Sequence, residues 1–283
     1  MAQLPVRKHG RALARLATAA IAAALIGTTA GTAVAATAPT PGAPRFPLTA
    51  ADRSGSVYLY GSDGHGGFSD RERIAEDFQY MTAATRVDHN QDGLPDGLYT
   101  RWQDGTLHFN SSGKSQTIGG GWDIYDRIFS PGNLTGSGQS DMLARDKAGV
   151  LWLYKAGQDG TLGDRVRVGR GWDIYTDIVG RGDLNGDGKT DIVAKDRDGV
   201  LWFYKGTGNI NDPFESRVRI GGGWDIYDMM VATGDVDQDG RSDLLARDRN
   251  GVLWLYKGNG NQNDPFDNRT RIGGGWDQYT NLF

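Results

Sequence analysis

Four stretches of this 283-residue chain are near copies of one another, and the chain both begins and ends inside the repeating unit. The segments GGGWDIYDRI, GRGWDIYTDI, GGGWDIYDMM and GGGWDQYTNL place Trp122, Trp172, Trp224 and Trp276 at intervals of 50, 52 and 52 residues. A unit of this length exceeds a leucine-rich or ankyrin repeat and fits one blade of a propeller. A second series, GVLWLYK, GVLWFYK and GVLWLYK, carries Trp152, Trp202 and Trp254, with weaker counterparts around His108 and Tyr58. Within a unit, short runs of Val, Ile, Leu, Tyr and Trp are separated by Gly, Asp and Asn turns, and no helical period occurs. Read from Trp224, the runs WDIYDMMVATG, DLLARD, GVLWLYK and RTRIGG predict four strands. In the third, Val252, Trp254 and Tyr256 share one face and Leu253 and Leu255 the other. A strand apolar on both faces belongs in a sheet packed between two other sheets.

Counting units sets the architecture. Residues 48–73 supply three strands and lack a first one; full units open near Asp77, Trp122, Trp172 and Trp224; GWDQYTNLF is a first strand with nothing after it. Joined, the two fragments complete a fifth unit. The expected fold class is therefore all-β, a five-bladed β-propeller over residues 48–283, closed by pairing of the C-terminal strand with the N-terminal partial blade. Closure removes the unpaired edges that an open array truncated at both ends would present.

The ends carry different signals. Residues 1–35 have a basic head, an apolar middle and the small-residue pattern Ala33-Val34-Ala35, the form of a secretory signal peptide. The apolar stretch Ala17–Ile26 is too short to span a bilayer. Residues 36–47, which include TAPTPGAPRFP, read as an unstructured proline-rich linker. Removing Arg7, Lys8, Arg11 and Arg15 with the signal takes the formal charge from −4 to about −8, which argues against nucleic acid as a partner. Cysteine is absent, so a secreted, extracellular chain would lack disulfides, and bound metal is one substitute.

Three loops suit a hard cation. DHNQDGLPD (Asp88 to Asp96), DLNGDGKTD (Asp183 to Asp191) and DVDQDGRSD (Asp235 to Asp243) share the pattern D-x-[DN]-x-D-G-x-x-D. Oxygens at positions 1, 3 and 5, glycine at 6 for a sharp turn and a carboxylate at 9 can surround one calcium ion. The expected ligands are Asp88, Asn90, Asp92 and Asp96; Asp183, Asn185, Asp187 and Asp191; and Asp235, Asp237, Asp239 and Asp243. The second full unit offers Asn133, Thr135, Ser137 and Asp141 there, with one formal charge, so three calcium sites are expected. Asp, Asn and Gly also make good hairpin turns without a metal.

At these residues the chain resembles two families. The aspartate loops followed by DLLARD or DIVAKD resemble FG-GAP/VCBS repeats of secreted bacterial proteins and integrin alpha-subunit propellers, which implies calcium in the loops. The GGGWDxY openings, NDPFDNRTRIGGGWDQYTNLF and the five-fold count resemble the tachylectin-2 type of propeller lectin, which lacks the aspartate loops. That resemblance implies pockets for N-acetylated amino sugars, with Trp122, Asp123, Tyr125, Trp172, Asp173, Tyr175, Trp224, Asp225, Tyr227, Trp276, Asp277 and Tyr279 as ligand-binding candidates. Trp and Tyr at equal positions in every blade also suit packing between blades. The first full unit departs, its AEDFQY setting Asp77 where tryptophan stands elsewhere.

Catalysis needs one asymmetric constellation. The chain beyond the signal has His65, His89 and His108, no cysteine, and no G-x-S-x-G, H-E-x-x-H or phosphate-cradling motif. The expectation is a non-catalytic, calcium-binding module that binds glycans. The alternative is an extracellular protein-binding or adhesion module in which calcium is purely structural.

Overall fold

The alternating runs of each unit form a four-stranded antiparallel sheet, and five such sheets hold all the strands of the computed structural model, which describes residues 42–283. Blades 1 to 4 open with the inner strands Met81–Val87, Tyr125–Gly132, Tyr175–Val179 and Tyr227–Gly234, and blade 5 with Tyr279–Leu282. The ring closes as the repeat count requires. Tyr279–Leu282 pairs antiparallel with Leu48–Asp52, setting Leu282 opposite Ala50 and Tyr279 opposite Asp52. No described helix is long and apolar enough to cross a membrane.

The core is divided into five clusters, one at each blade interface. The third strand of blade 4 shows why its sequence is apolar on both faces. Leu253 and Leu255 enter the cluster shared with blade 5, while Trp254 and Tyr256 pack against the one shared with blade 3.

Two expectations are corrected. The segments starting at Trp122, Trp172, Trp224 and Trp276 do not begin as strands; each starts with a three-residue 3-10 turn, and the strand follows from the tyrosine. Gly223, at φ 87°, supplies the left-handed residue that turns the chain, and Trp224 N–H then donates to Gly199 of the preceding blade at 2.9 Å. In blade 1 the tryptophan position is filled by Phe78, one residue after Asp77. Phe78 N–H donates to Gly55 at 2.9 Å as Trp224 does to Gly199, while Asp77, at φ 67°, takes the turning position that glycine holds elsewhere.

Residues 1–35, expected to be a signal peptide, and residues 36–41 lie outside the described residues. Residues 42–47 of the linker are packed against the propeller. Arg45 N–H donates to Gly93 and Phe46 N–H to Thr233, while Asp235 N–H donates back to Pro44. Phe46 is buried beneath the Arg181 guanidinium, 4.2 Å from its ring centre. This segment thus crosses the end of the ring that carries the aspartate loops.

Candidate metal loops and inter-blade clefts

Each aspartate loop follows the inner strand of its blade and turns on its own carboxylates. In blade 4, Asp235 accepts the backbone N–H groups of Asp239 and Gly240 at 3.1 and 2.9 Å, and Asp239 that of Arg241 at 2.9 Å. Carboxylate oxygens of Asp235, Asp237 and Asp239 lie within 4.8 Å of one another, a spacing that suits a single cation. Blade 3 repeats the pattern, with Asp183 accepting from Gly186 and Gly188, both at 2.7 Å. In blade 1, Asp88 accepts from Gln91 at 2.6 Å and Gly93 at 2.8 Å, and the Asn90 and Asp92 oxygens accept from Asp92 and Leu94. Asn185 and Asp187 do the same for Asp187 and Lys189.

The ninth position does something else. Both oxygens of Asp191 accept backbone N–H groups, from Leu184 at 3.0 Å and Gly206 at 2.7 Å; Asp243 takes Val236 and Gly258 in the same way, each at 2.8 Å. These carboxylates pin the loop to the connection that leads into the outer strand. Asp96 instead accepts from His89 and Asn90 within its own loop. Burial pushes the Asp191 and Asp243 carboxyls up to about 7 despite their backbone donors, with the neighbouring acids adding to the rise. Burial also raises Asp88 and Asp235. Lysines stand beside two loops, Lys257 at 2.7 Å from Asp237 and Lys205 at 3.3 Å from Asp187. The blade 2 loop keeps the turn, with Asn133 accepting from Gly138 and Asp141 from Thr135.

The repeated Trp, Asp and Tyr of the blade openings divide. The four tryptophans are buried to 7–8% exposure and stack on a tyrosine of the third strand, Trp224 on Tyr256 at 4.5 Å and Trp172 on Tyr204 at 4.7 Å. They form inter-blade core. Asp123, Asp173, Asp225 and Asp277 are exposed and lie over the tight turn of the preceding blade; a Cβ on Gly251 would come 2.5 Å from Asp277 Oδ1. The tyrosines are buried, but their hydroxyls reach a second repeated feature.

That feature was not singled out from the sequence. Its signal is the outer-strand pattern R-x-R-[VI], present in four units as Arg165, Arg217, Arg269 and Arg71. Arg165, Arg217 and Arg269 lie over the rings of Trp152, Trp202 and Trp254 at 4.2, 3.9 and 4.2 Å, and Arg71 over Tyr58 at 4.6 Å. Each indole N–H donates to the aspartate that ends the second strand, Trp202 to Asp196 at 2.8 Å. Each arginine donates to the opening tyrosine of its blade, Arg269 to Tyr227 at 2.6 Å, Arg71 to Tyr279 at 2.8 Å, and Arg165 to Tyr125 at 3.1 Å, with Arg217 bonded likewise to Tyr175. Tyr175 and Tyr227 bond in turn to Tyr204 and Tyr256, both at 2.5 Å. An exposed guanidinium is thus fixed by stacking below and by a hydroxyl at one end, and Arg71 also donates to Gln278 at 2.9 Å. Blade 1 has His108 and Ser115 at the tryptophan and arginine positions and lacks the cleft.

The family model of the FG-GAP-like repeat matches residues 183–246, which span the aspartate loops of blades 3 and 4. No curated protein matches the chain by sequence. Among solved structures it is similar to an arginine-to-alanine triple mutant of AofleA from Arthrobotrys oligospora, at 11% identity and TM-score 0.49, covering 89% of this chain and 77% of that one. It is also similar to the BP39L lectin from Burkholderia pseudomallei, at 12% identity and TM-score 0.49, covering 80% and 69%. BBS1N in complex with ARL6DN matches at 13% identity and TM-score 0.41; 80% of this chain is covered but 63% of that one, less than two thirds of its length.

Proposed function

We propose that this chain is a secreted, non-catalytic propeller that holds calcium in three loops and binds carbohydrate through its repeated inter-blade clefts. The observation that carries the reading is the repetition of one Arg–aromatic–Tyr unit in four blades with the same bonds each time. A fixed guanidinium edge supplies the paired donors that sugar hydroxyls and acetamido oxygens accept, and the aromatic ring beneath it holds the guanidinium in place. Several weak copies on one rigid ring gain avidity on a polymer without further contacts. N-acetylated amino sugars are the first class to test.

Calcium at Asp88, Asp183 and Asp235 and their partners would neutralise the crowded carboxylates and fix the loops, a structural role remote from the clefts. The test is a broad glycan array probed with the chain from Ala36 onward, in millimolar calcium and again after chelation. Selective binding to one sugar class, weakened by Trp202→Ala with Trp254→Ala as two of the four units are removed, supports the reading. Silence from folded protein overturns it and turns the search to extracellular protein partners.

A further inference from the structure

The five inner strands differ where the rest of the repeat is strict. Five residues after each opening aromatic stand Ala83, Arg127, Asp177, Met229 and Asn281, a different residue type in every blade. Two residues earlier, four of the five blades carry a buried tyrosine. Arg127, Asp177, Met229 and Asn281 line a cavity of about 410 Å³, which adjoins a channel of about 220 Å³ bordered by all five inner strands. The cavity is the channel mouth at the end opposite the aspartate loops, and its size is that of a small-molecule site.

Blade 3 also moves a charge into this mouth. In blades 2 and 4 an arginine of the second strand pairs with the carboxylate just after the opening tyrosine, Arg145 with Asp126 at 2.8 Å and Arg247 with Asp228 at 2.9 Å, and both aspartate side chains are about 40% exposed. In blade 3 that place is Thr176. The carboxylate comes one residue later, as Asp177, and a lysine replaces the arginine. Asp177 and Lys195 are 8% and 6% exposed and 3.0 Å apart, and Arg127 reaches Asp177 from blade 2 at 3.3 Å. Burying an ion pair costs desolvation, and blades 2 and 4 of the same ring do without it, so packing alone does not account for the change.

With Asp177 set against Lys195 and Asp228 against Arg247, the mouth keeps an excess of one positive charge. Asp177 is held by Lys195 and Arg127, Asp228 by Arg247, and Asp196 by the Trp202 indole. Arg197 and Arg249 each donate one N–H to a backbone carbonyl, of Asp173 at 2.9 Å and Asp225 at 3.0 Å, and are otherwise exposed. Arg127 is 28% exposed. Arg197, Arg249 and Arg127, the last shared with Asp177, therefore face two carboxylates that no cation pairs, Asp196 and Asp225, beside an apolar wall of Met229 and Met230. Planar guanidinium forks match a carboxylate in a bidentate arrangement. We propose that the channel mouth is a single-copy binding site for a small organic carboxylate, separate from the repeated clefts and independent of what they bind.

The test is calorimetric titration with glucuronate, galacturonate, N-acetylneuraminate and citrate, with neutral glucose as control. At least one acid binds at one per chain, glucose does not, and Arg127→Gln weakens the acid about tenfold or more. A second variant, Met229→Trp, fills the mouth and abolishes binding while the circular dichroism of the fold is kept. Binding is unchanged by Trp152→Ala with Arg165→Ala, a cleft variant whose indole partner, Asp146, does not line the mouth. No saturable one-to-one binding by any of the four acids, or binding lost with the cleft variant and kept by Arg127→Gln, overturns the proposal.

Discussion

Arg247 Nη1 donates to the backbone carbonyl of Tyr279 at 2.7 Å, tying blade 4 to the strand that closes the ring. The same nitrogen reaches Trp276 O at 3.0 Å, and the rest of the guanidinium is paired with Asp228. Arg101 and Arg145 clamp the next blade's opening turn in the same way, and Lys195 does so through Tyr227 O alone. Arg247→Ala leaves two buried carbonyls without their charged donor at the closure. It should lower unfolding free energy by roughly 2 to 4 kcal/mol, read by urea denaturation. A loss below about 0.5 kcal/mol would show that the clamp does not hold the ring.

Calcium should bind at three sites and stabilise the ring. With affinities of ~0.1 to 1 mM, millimolar calcium contributes roughly 0.4 to 1.4 kcal/mol per site. The blade 2 loop already makes the turn, and Asp141 Oδ1, Thr135 Oγ1 and Ser137 Oγ are buried there without a hydrogen-bond partner among the described residues. Asn133→Asp with Thr135→Asp and Ser137→Asp should therefore add a fourth site. Direct titration of both proteins counts them; none, or four equal sites in the parent chain, contradicts the assignment.

His89 occupies a loop position that is Leu134, Leu184 or Val236 in the other blades. It is buried against Phe109 and Tyr99, and neither ring nitrogen has a partner among the described residues. His89→Leu should stabilise by about 1 to 2 kcal/mol, since an unsatisfied polar group is replaced by the residue its copies use. Destabilisation in the same denaturation assay would show that the imidazole has a role the fold needs.

The cleft aspartates set an acid limit. Asp146, Asp196 and Asp248 sit below the usual carboxylate range; burial acts to raise them, but the indole N–H of Trp152, Trp202 or Trp254 and the backbone donors outweigh it. A carboxyl lowered in the folded state adds stability above its unfolded value near 3.9, and that stability is lost as pH falls through the folded value. Thermal midpoints should therefore fall more steeply below about pH 4 in the parent than in Asp146→Asn with Asp196→Asn and Asp248→Asn. Equal slopes would contradict the role given to the indole bonds.

The repeat period and the two broken units made the blades and their closure legible, because a sheet edge has to pair and the fragments complement each other. The aspartate loops were equally plain, being local in sequence. What escaped depends on distant contacts. Trp224 begins a turn because Gly199 of another blade accepts its N–H, and Phe78 replaces tryptophan one residue later than AEDFQY suggests because a left-handed Asp77 stands in for glycine. Pro44 and Phe46 lie in a segment with no periodicity, yet they dock where Asp235 N–H and Arg181 meet them. The outer-strand arginines were visible as letters; that Arg217 lies on Trp202 follows from the pairing that sets Arg219 opposite Trp202.

The most direct measurement is the number of sugar sites per chain, obtained by titrating a monovalent fragment of the best array ligand. The account predicts saturation at four sites, one for each of Arg71, Arg165, Arg217 and Arg269, with Arg217→Ala removing one of them. Saturation at a single site, or a count that Arg217→Ala leaves unchanged, would contradict it.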